Sequence, residues 1–237
     1  MKKKIQIIFE VVLIILVIIS LYKVITWFIN NKETKEELKE IKDKVILEDI
    51  SINTTTAHKI DFNNLKDINS DSIAWLIVNN TNIDYPVVKT TNNNYYLSHN
   101  FFKNKSDAGW VFLDYRNNLN DKNIIIYAHN RLDGSMFGTL NKLKETNYLN
   151  NLSNREIVLT TNSGSLSYQV FSIYEIKEED YYLKTNFKDN EFKEFLSTIK
   201  NRSIYNLNVD LDNTTQILTL STCTKEDGYR LVVHAKR

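Results

Sequence analysis

The sequence predicts a mainly β domain, a mostly antiparallel sheet or barrel with a few inserted helices, preceded by helices and a membrane anchor. Three observations predict it. Beyond residue 72, short β-branched or aromatic runs alternate with turns, and with five glycines and one proline in 237 residues those turns fall mainly to Asn and Asp. Residues 2–30 form a lysine-led apolar run, and residues 33–49 place apolar side chains at helical spacing among charges. With the apolar run set aside, roughly 200 residues remain, the size of one domain or of a domain with a helical appendage.

Residues 1–30 are read as the anchor. The uncharged centre Val11–Tyr22 is short for a bilayer. Ile5–Ile29, with Glu10 and Lys23 reaching toward opposite interfaces, makes a helix of ~37 Å at 1.5 Å per residue, enough to cross a hydrocarbon layer of ~30 Å. No small-x-small site follows the apolar core, where the chain reads Tyr-Lys-Val-Ile-Thr-Trp, so an uncleaved anchor is expected in preference to a cleaved signal. The leading lysines predict a cytoplasmic N-terminus and an external C-terminal domain. Residues 31–58 are read as a helical linker, with Leu38, Ile41, Val45 and Ile46 marking an amphipathic helix over 33–49, and residues 59–237 as the domain proper.

A short helix over 61–69 follows, then strands at 72–78, 82–89, 109–114 and 123–129. Residues 135–145 read as helical. Strands near 156–161 and 165–176, a helix near 189–200, and strands near 215–223 and 229–235 complete the chain. The 30 basic and 29 acidic residues are spread along it, for a formal net charge of +1, so no face is predicted to hold a phosphate backbone and no nucleic-acid partner is expected.

The last two strands permit a register argument. In residues 216–223, Leu218, Leu220 and Thr222 share one face, and Thr219, Ser221 and Cys223 the other. With Thr224–Tyr229 as the connection, Cys223 sits opposite Arg230 and Leu220 opposite Val233. The leucine face then packs inward, and Cys223, Ser221 and Arg230 emerge together on the other. A slip of one residue would carry Arg230 to the leucines, which burial disfavours. Cys223 is the single cysteine and has no disulfide partner within the chain. A free thiol with a pKa of about 8.5 is only partly thiolate at neutral pH, and a neighbouring cation raises that fraction or stabilises charge developing during attack. A lone cysteine is ordinarily a small inert core residue. Placement near a strand end beside an arginine points instead to a nucleophile.

Four histidines are candidate bases. His58 lies in the polar N-terminal region and reads as a surface residue. His234 shares the cysteine's face but pairs near Thr219, four residues or ~13 Å along the strand from Cys223. His99 reads as a packed or capping residue. His129 closes the apolar run "NIIIYAH" at a strand end, where a rigid sheet can aim a catalytic group; its bland reading is a surface histidine at a turn.

Taken together, "TLSTC" (219–223) with Arg230 seven residues on, "IIIYAHN" (124–130) followed by "MFGTL" (136–140), and "NNYYLSHNF" (93–101) leading into "GWVFLD" (109–114) resemble class B sortases, membrane-anchored cysteine transpeptidases of Gram-positive bacteria. The resemblance covers roughly residues 60–237. It implies an eight-stranded β-barrel with N-terminal helices and an inserted helix before the catalytic strand. It further implies that Cys223 attacks the carbonyl after the threonine of an NPxTx-like signal near the C-terminus of a secreted protein, giving a thioester that an amine of peptidoglycan or of its lipid-linked precursor releases. His129 would serve as acid and then base, and Arg230 would bind substrate and stabilise the oxyanion. Ser221, Thr222 and Leu97 would contact substrate. No cofactor and no metal enter this chemistry.

Glu226 and Asp227 lie near Arg230 in sequence and are read first as solvated, second as groups that orient the guanidinium. Two other readings keep the same residues. The L,D-transpeptidases also join His, Cys and Arg, but their arginine falls within two residues of the cysteine, against seven here. A non-catalytic surface-binding barrel would make no use of the pairing of Cys223 with Arg230.

Overall fold

The computed structural model describes residues 2–188 and 190–237. Met1 of the expected anchor and Asp189 of the expected helix near 189–200 lie outside the described residues. One helix, α1 (Lys2–Val45), runs unbroken from the apolar run into the domain, and by length and composition it could cross a membrane. Past the apolar run it becomes a packing element. Asn31, Thr34, Ile41 and Val45 are buried, with Leu38 packed alongside, and these three- and four-residue steps draw one stripe along the helix.

The helix expected over 33–49 therefore ends at Val45, and residues 46–58 differ from the helical linker read over 31–58. Strands β1 (Ile46–Ile52) and β2 (Thr55–Ile60) form an antiparallel hairpin outside the barrel. The β-branched Ile46, Ile50 and Ile52 favour extended backbone, and Asn53 makes the turn in the left-handed region at φ +50°. His58 of this hairpin is not a free surface residue. Its ring bonds Asp49 at 2.7 Å and Asp84 at 3.1 Å.

Helix α2 (Phe62–Ile68) starts where Asp61 accepts the N–H groups of Asn63 and Asn64, an N-cap that buries Phe62 and Leu65. Eight strands then close into a barrel: β3 (Ser72–Val78), β4 (Asp84–Val88), β5 (Phe112–Leu113), β6 (Asn123–Tyr127), β7 (Glu156–Thr161), β8 (Gly164–Lys177), β9 (Ile217–Cys223) and β10 (Tyr229–Lys236). The order around the barrel is β10-β8-β7-β3-β4-β5-β6-β9. Most pairs are antiparallel, as expected; β4–β5 and β6–β9 are parallel.

Residues 135–145 adopt a 3-10 helix over Gly138–Lys144 rather than an α-helix, followed by the short α3 (Thr146–Leu149). Phe137, Leu140 and Leu143 are all fully buried, and a strict spacing of three eclipses side chains in a 3-10 turn. Between β8 and β9, the expected insertion forms α4 (Glu191–Asn201), which buries Phe192, Phe195, Leu196 and Ile199.

That insertion changes one expectation about the final strands. The register holds as derived, Cys223 opposite Arg230 and Leu220 opposite Val233. The face carrying Ser221 is nevertheless not exposed, because the insertion covers it. Thr219, Ser221, Val232 and His234 are buried, with Phe195 of α4 edge-on to the His234 ring. Cys223, at the last pair of β9, emerges.

Candidate active site

Parallel pairing of β6 with β9 sets the site. Ile126 pairs with Leu220 and Tyr127 with Ser221, so the chain two residues past this last pair carries His129 on one side and Cys223 on the other. β6 stops at Tyr127, two residues short of the expected strand end, because the backbone beyond it is bonded elsewhere. Thr222 Oγ1 donates to the Ala128 carbonyl at 2.7 Å, and Phe137 N–H donates to the His129 carbonyl at 2.9 Å. Asn130 Nδ2 donates to the Cys223 carbonyl at 2.9 Å, while Asn141 Nδ2 donates to Asn130 Oδ1 at 2.9 Å and so fixes which way the Asn130 amide faces.

His129 Nε2 donates to the Leu97 carbonyl at 2.8 Å. A carbonyl only accepts, so Nε2 carries a hydrogen and Nδ1 is the basic nitrogen of the neutral ring. Gly109, at φ +58°, allows this approach: a Cβ there would lie 2.9 Å from His129 Cδ2 and 2.6 Å from the Tyr96 carbonyl oxygen. His99 is occupied elsewhere, stacked on Tyr95 at 4.1 Å with Nδ1 against the Tyr95 carbonyl. His234 is sealed in the second layer. Tyr174 OH lies 2.9 Å from Nε2, Thr219 Oγ1 lies 2.8 Å from Nδ1, and burial together with the charge of Arg202 pushes its pKa down to about 3.

A groove of about 340 Å³ runs along this end of the barrel. All six residues singled out in the sequence, Leu97, His129, Ser221, Thr222, Cys223 and Arg230, line it. Leu97 forms an exposed apolar wall. The Ser221 and Thr222 hydroxyls are largely spent on the protein: Ser221 Oγ lies 3.1 Å from Tyr182 OH, and Thr222 is tied to Ala128. Burial raises the Tyr182 pKa, keeping that phenol protonated.

Arg230 pairs with neither Glu226 nor Asp227 among the hydrogen bonds and ion pairs of the described residues. Its Nη2 lies 2.9 Å from Glu178 Oε2, and Nη1 donates to the Tyr229 carbonyl at 3.2 Å. Glu178 follows β8, which pairs Ile176 with Arg230. It escaped the sequence reading, since its partner lies far along the chain. The far wall is braced by a buried carboxylate that was also missed. Asp114 accepts from Arg116 Nε at 2.9 Å, from Tyr127 OH at 2.8 Å and from Asn93 Nδ2 at 3.2 Å. Burial would raise its pKa, but these donors and the Arg116 charge outweigh it and hold the carboxyl below its usual range.

The arrangement offers an exposed sulfur at a strand end, an imidazole with a defined basic nitrogen, and a guanidinium directly across the sheet, all open to one groove. Nucleophilic acyl transfer is chemistry such a set can perform. Comparison with known proteins agrees with this reading. The sortase domain family model matches residues 76–237. Sortase B of Listeria monocytogenes is 34% identical over 215 residues, spanning 87% of this chain and 86% of the relative; sortase B of Staphylococcus aureus is 30% identical over 244 residues, spanning 99% and 97%. Among solved structures, sortase B from Bacillus anthracis aligns with a TM-score of 0.75 at 32% identity, covering 88% of this chain and 98% of that one. The Clostridium perfringens sortase B aligns at 0.68 and 35%, covering 74% and 98%.

Proposed function

The chain belongs to the sortase family, in its class B, and from that premise we propose that it is a sortase-type transpeptidase working through Cys223, His129 and Arg230 on an NPxTx-like sorting signal. Cys223 Sγ gives its proton to His129 and bonds to the carbonyl carbon after the signal's threonine. The peptide C–N bond breaks, the leaving amine takes a proton from His129, and a thioester remains. An incoming amine, on peptidoglycan or its lipid-linked precursor, gives a proton to His129 as it displaces the sulfur, and His129 returns that proton to Cys223 Sγ. Arg230 offers planar donors to the oxyanion formed in each half-reaction. Leu97, Ser221 and Thr222 form the walls against which the extended signal lies.

The observation that carries this reading is the shared groove, in which the single sulfur of a cysteine lies in register with Arg230 and beside the strand end bearing His129. Helix α1 supports a membrane setting, with residues 1–30 as anchor, the N-terminus cytoplasmic and the domain outside. Protease added to intact protoplasts should then remove the domain; full protection would reverse the topology.

The decisive experiment incubates the full chain in detergent with quenched NPxTx and LPxTG peptides and reads the intact mass. The expected result is an acyl adduct, absent in Cys223→Ala and released by hydroxylamine. If no peptide is cleaved and Cys223→Ala matches the parent in every assay, the non-catalytic surface-binding barrel replaces the transpeptidase.

A further inference from the structure

The turn that follows His129 is bound to α1 at the point where the apolar run ends. Arg131 Nη2 donates to Asn31 Oδ1 at 2.5 Å, Nη1 to the Asp107 carbonyl at 3.3 Å, and Nε to Ser135 Oγ at 3.1 Å. Asn31 is two residues beyond Ile29, ~3 Å further along the helix axis. Ile5–Ile29 exceeds a ~30 Å hydrocarbon layer by several ångströms, so with α1 across a bilayer Asn31 stands at headgroup level. The Arg131 contact brings the 131–134 turn to that same level.

Leu132, the next residue, is 88% exposed, the highest value among the exposed large apolar side chains of the described residues. The turn presenting it is pinned. Gly134 N–H donates to the Arg131 carbonyl at 3.1 Å, and Asp133 Oδ1 accepts from both the N–H and the hydroxyl of Ser135. Met136 N–H donates to Tyr85 OH at 3.1 Å. A side chain already held out on a rigid turn loses little further freedom on meeting an apolar layer. A single exposed leucine on an open surface calls for no explanation. Beside the exit of a spanning helix it differs, because the helix keeps the bilayer at high local concentration.

We infer that Leu132 enters the phospholipid interface as a second membrane contact, seating the 131–134 turn on the bilayer surface. This rests on the reading of α1 as a spanning anchor. Asn130, which bonds the Cys223 carbonyl, is two residues from Leu132, so the seat would hold the groove close to the bilayer surface.

The test uses the full chain with Cys223→Ala and one new cysteine labelled with the fluorophore NBD, in phosphatidylcholine–phosphatidylglycerol vesicles containing lipid with a nitroxide high on its acyl chain. Three positions are compared: Leu132→Cys, Leu16→Cys within the apolar helix, and Leu152→Cys, which is exposed in a crevice with Asn53 and Thr54 of the hairpin turn. The expected result is blue-shifted emission at 132 and quenching about threefold or more above that at 152, as for an apolar side chain in the interface. Quenching at 16 with emission at 132 no more blue-shifted, and no better quenched, than at 152 overturns this proposal and leaves the anchor standing. No quenching at 16 overturns the anchor and this proposal with it.

Discussion

Alanine at Gly109 would place a methyl group where the His129 ring already meets the turn around Tyr96. Its Cβ would lie 2.6 Å from the Tyr96 carbonyl oxygen, 2.9 Å from His129 Cδ2 and 3.1 Å from the Leu97 carbonyl oxygen, with φ at +58°. A left-handed conformation costs an alanine about 1–2 kcal/mol. Overpacking against neighbours that cannot retreat costs a further ~1–3 kcal/mol. The Tyr96 carbonyl cannot easily retreat, since Trp110 N–H donates to it at 2.8 Å and the Tyr96 hydroxyl is tied to Asp71 and Asn69. The imidazole is the softer neighbour, and its displacement lengthens the 2.8 Å bond to Leu97. A misplacement on the order of 1 Å at a reacting group lowers turnover by ~100-fold. Gly228→Ala is the control, because φ is +74° there and nothing lies within 4 Å of the added Cβ, so that only the backbone cost applies. Urea unfolding of the full chain in detergent, followed by near-ultraviolet circular dichroism, should find Gly109→Ala less stable than Gly228→Ala by about 1–3 kcal/mol. Peptide cleavage should fall in the former. Equal stability losses in the two variants, within ~0.5 kcal/mol, would refute the argument that this close approach holds the ring.

Three further outcomes are expected. Arg230→Lys keeps the charge but loses the planar fork of donors, so acyl-enzyme formation in a single-turnover assay should slow by ~100-fold or more; near-parental rates would remove Arg230 from oxyanion binding. Glu178 is exposed, and an ion pair of this kind contributes about 0–1 kcal/mol, so Glu178→Gln should leave the urea midpoint almost unchanged; a large loss would mean that the pair with Arg230 holds the strand end. The two perturbed histidines should shape stability against pH with opposite signs. The unfolded chain protonates His234 near pH 6.5 and the folded chain only near 3, so its stabilisation is complete above 6.5 and falls as pH drops toward 3, by up to ~1.4 kcal/mol per pH unit. Burial disfavours the charged ring of His58, but Asp84 and Asp49 outweigh it and raise its pKa, so its stabilisation is present below 6.5 and is lost as pH rises through the folded value. His234→Asn should flatten the acid limb of the curve and His58→Gln the alkaline limb; curves parallel to the parent would contradict both assignments.

What the residues by themselves determined is local. The apolar run and the stripe from Leu38 to Val45 announce α1, and the alternation on either side of a short connection sets Cys223 opposite Arg230. Neighbouring strands must satisfy one another's burial within a few residues, and that condition can be read from a line of text. Residues 46–58 depart from the helical expectation because Leu38, Ile41, Val45 and Ile46 continue a helical spacing past the point where β-branched residues and a left-handed Asn53 turn the chain into a hairpin. The site needed the closed barrel. β6 and β9 lie some ninety residues apart and pair in parallel, and no local pattern records which distant strand will accept a parallel neighbour or in which register. That pairing sets His129 beside Cys223, as the fold of the insertion buries Ser221 and His234, and the path of β8 brings Glu178 to Arg230. Sequence chemistry selected the sulfur, the imidazole and the guanidinium; chain closure, a property of all eight strands at once, brought them to one groove.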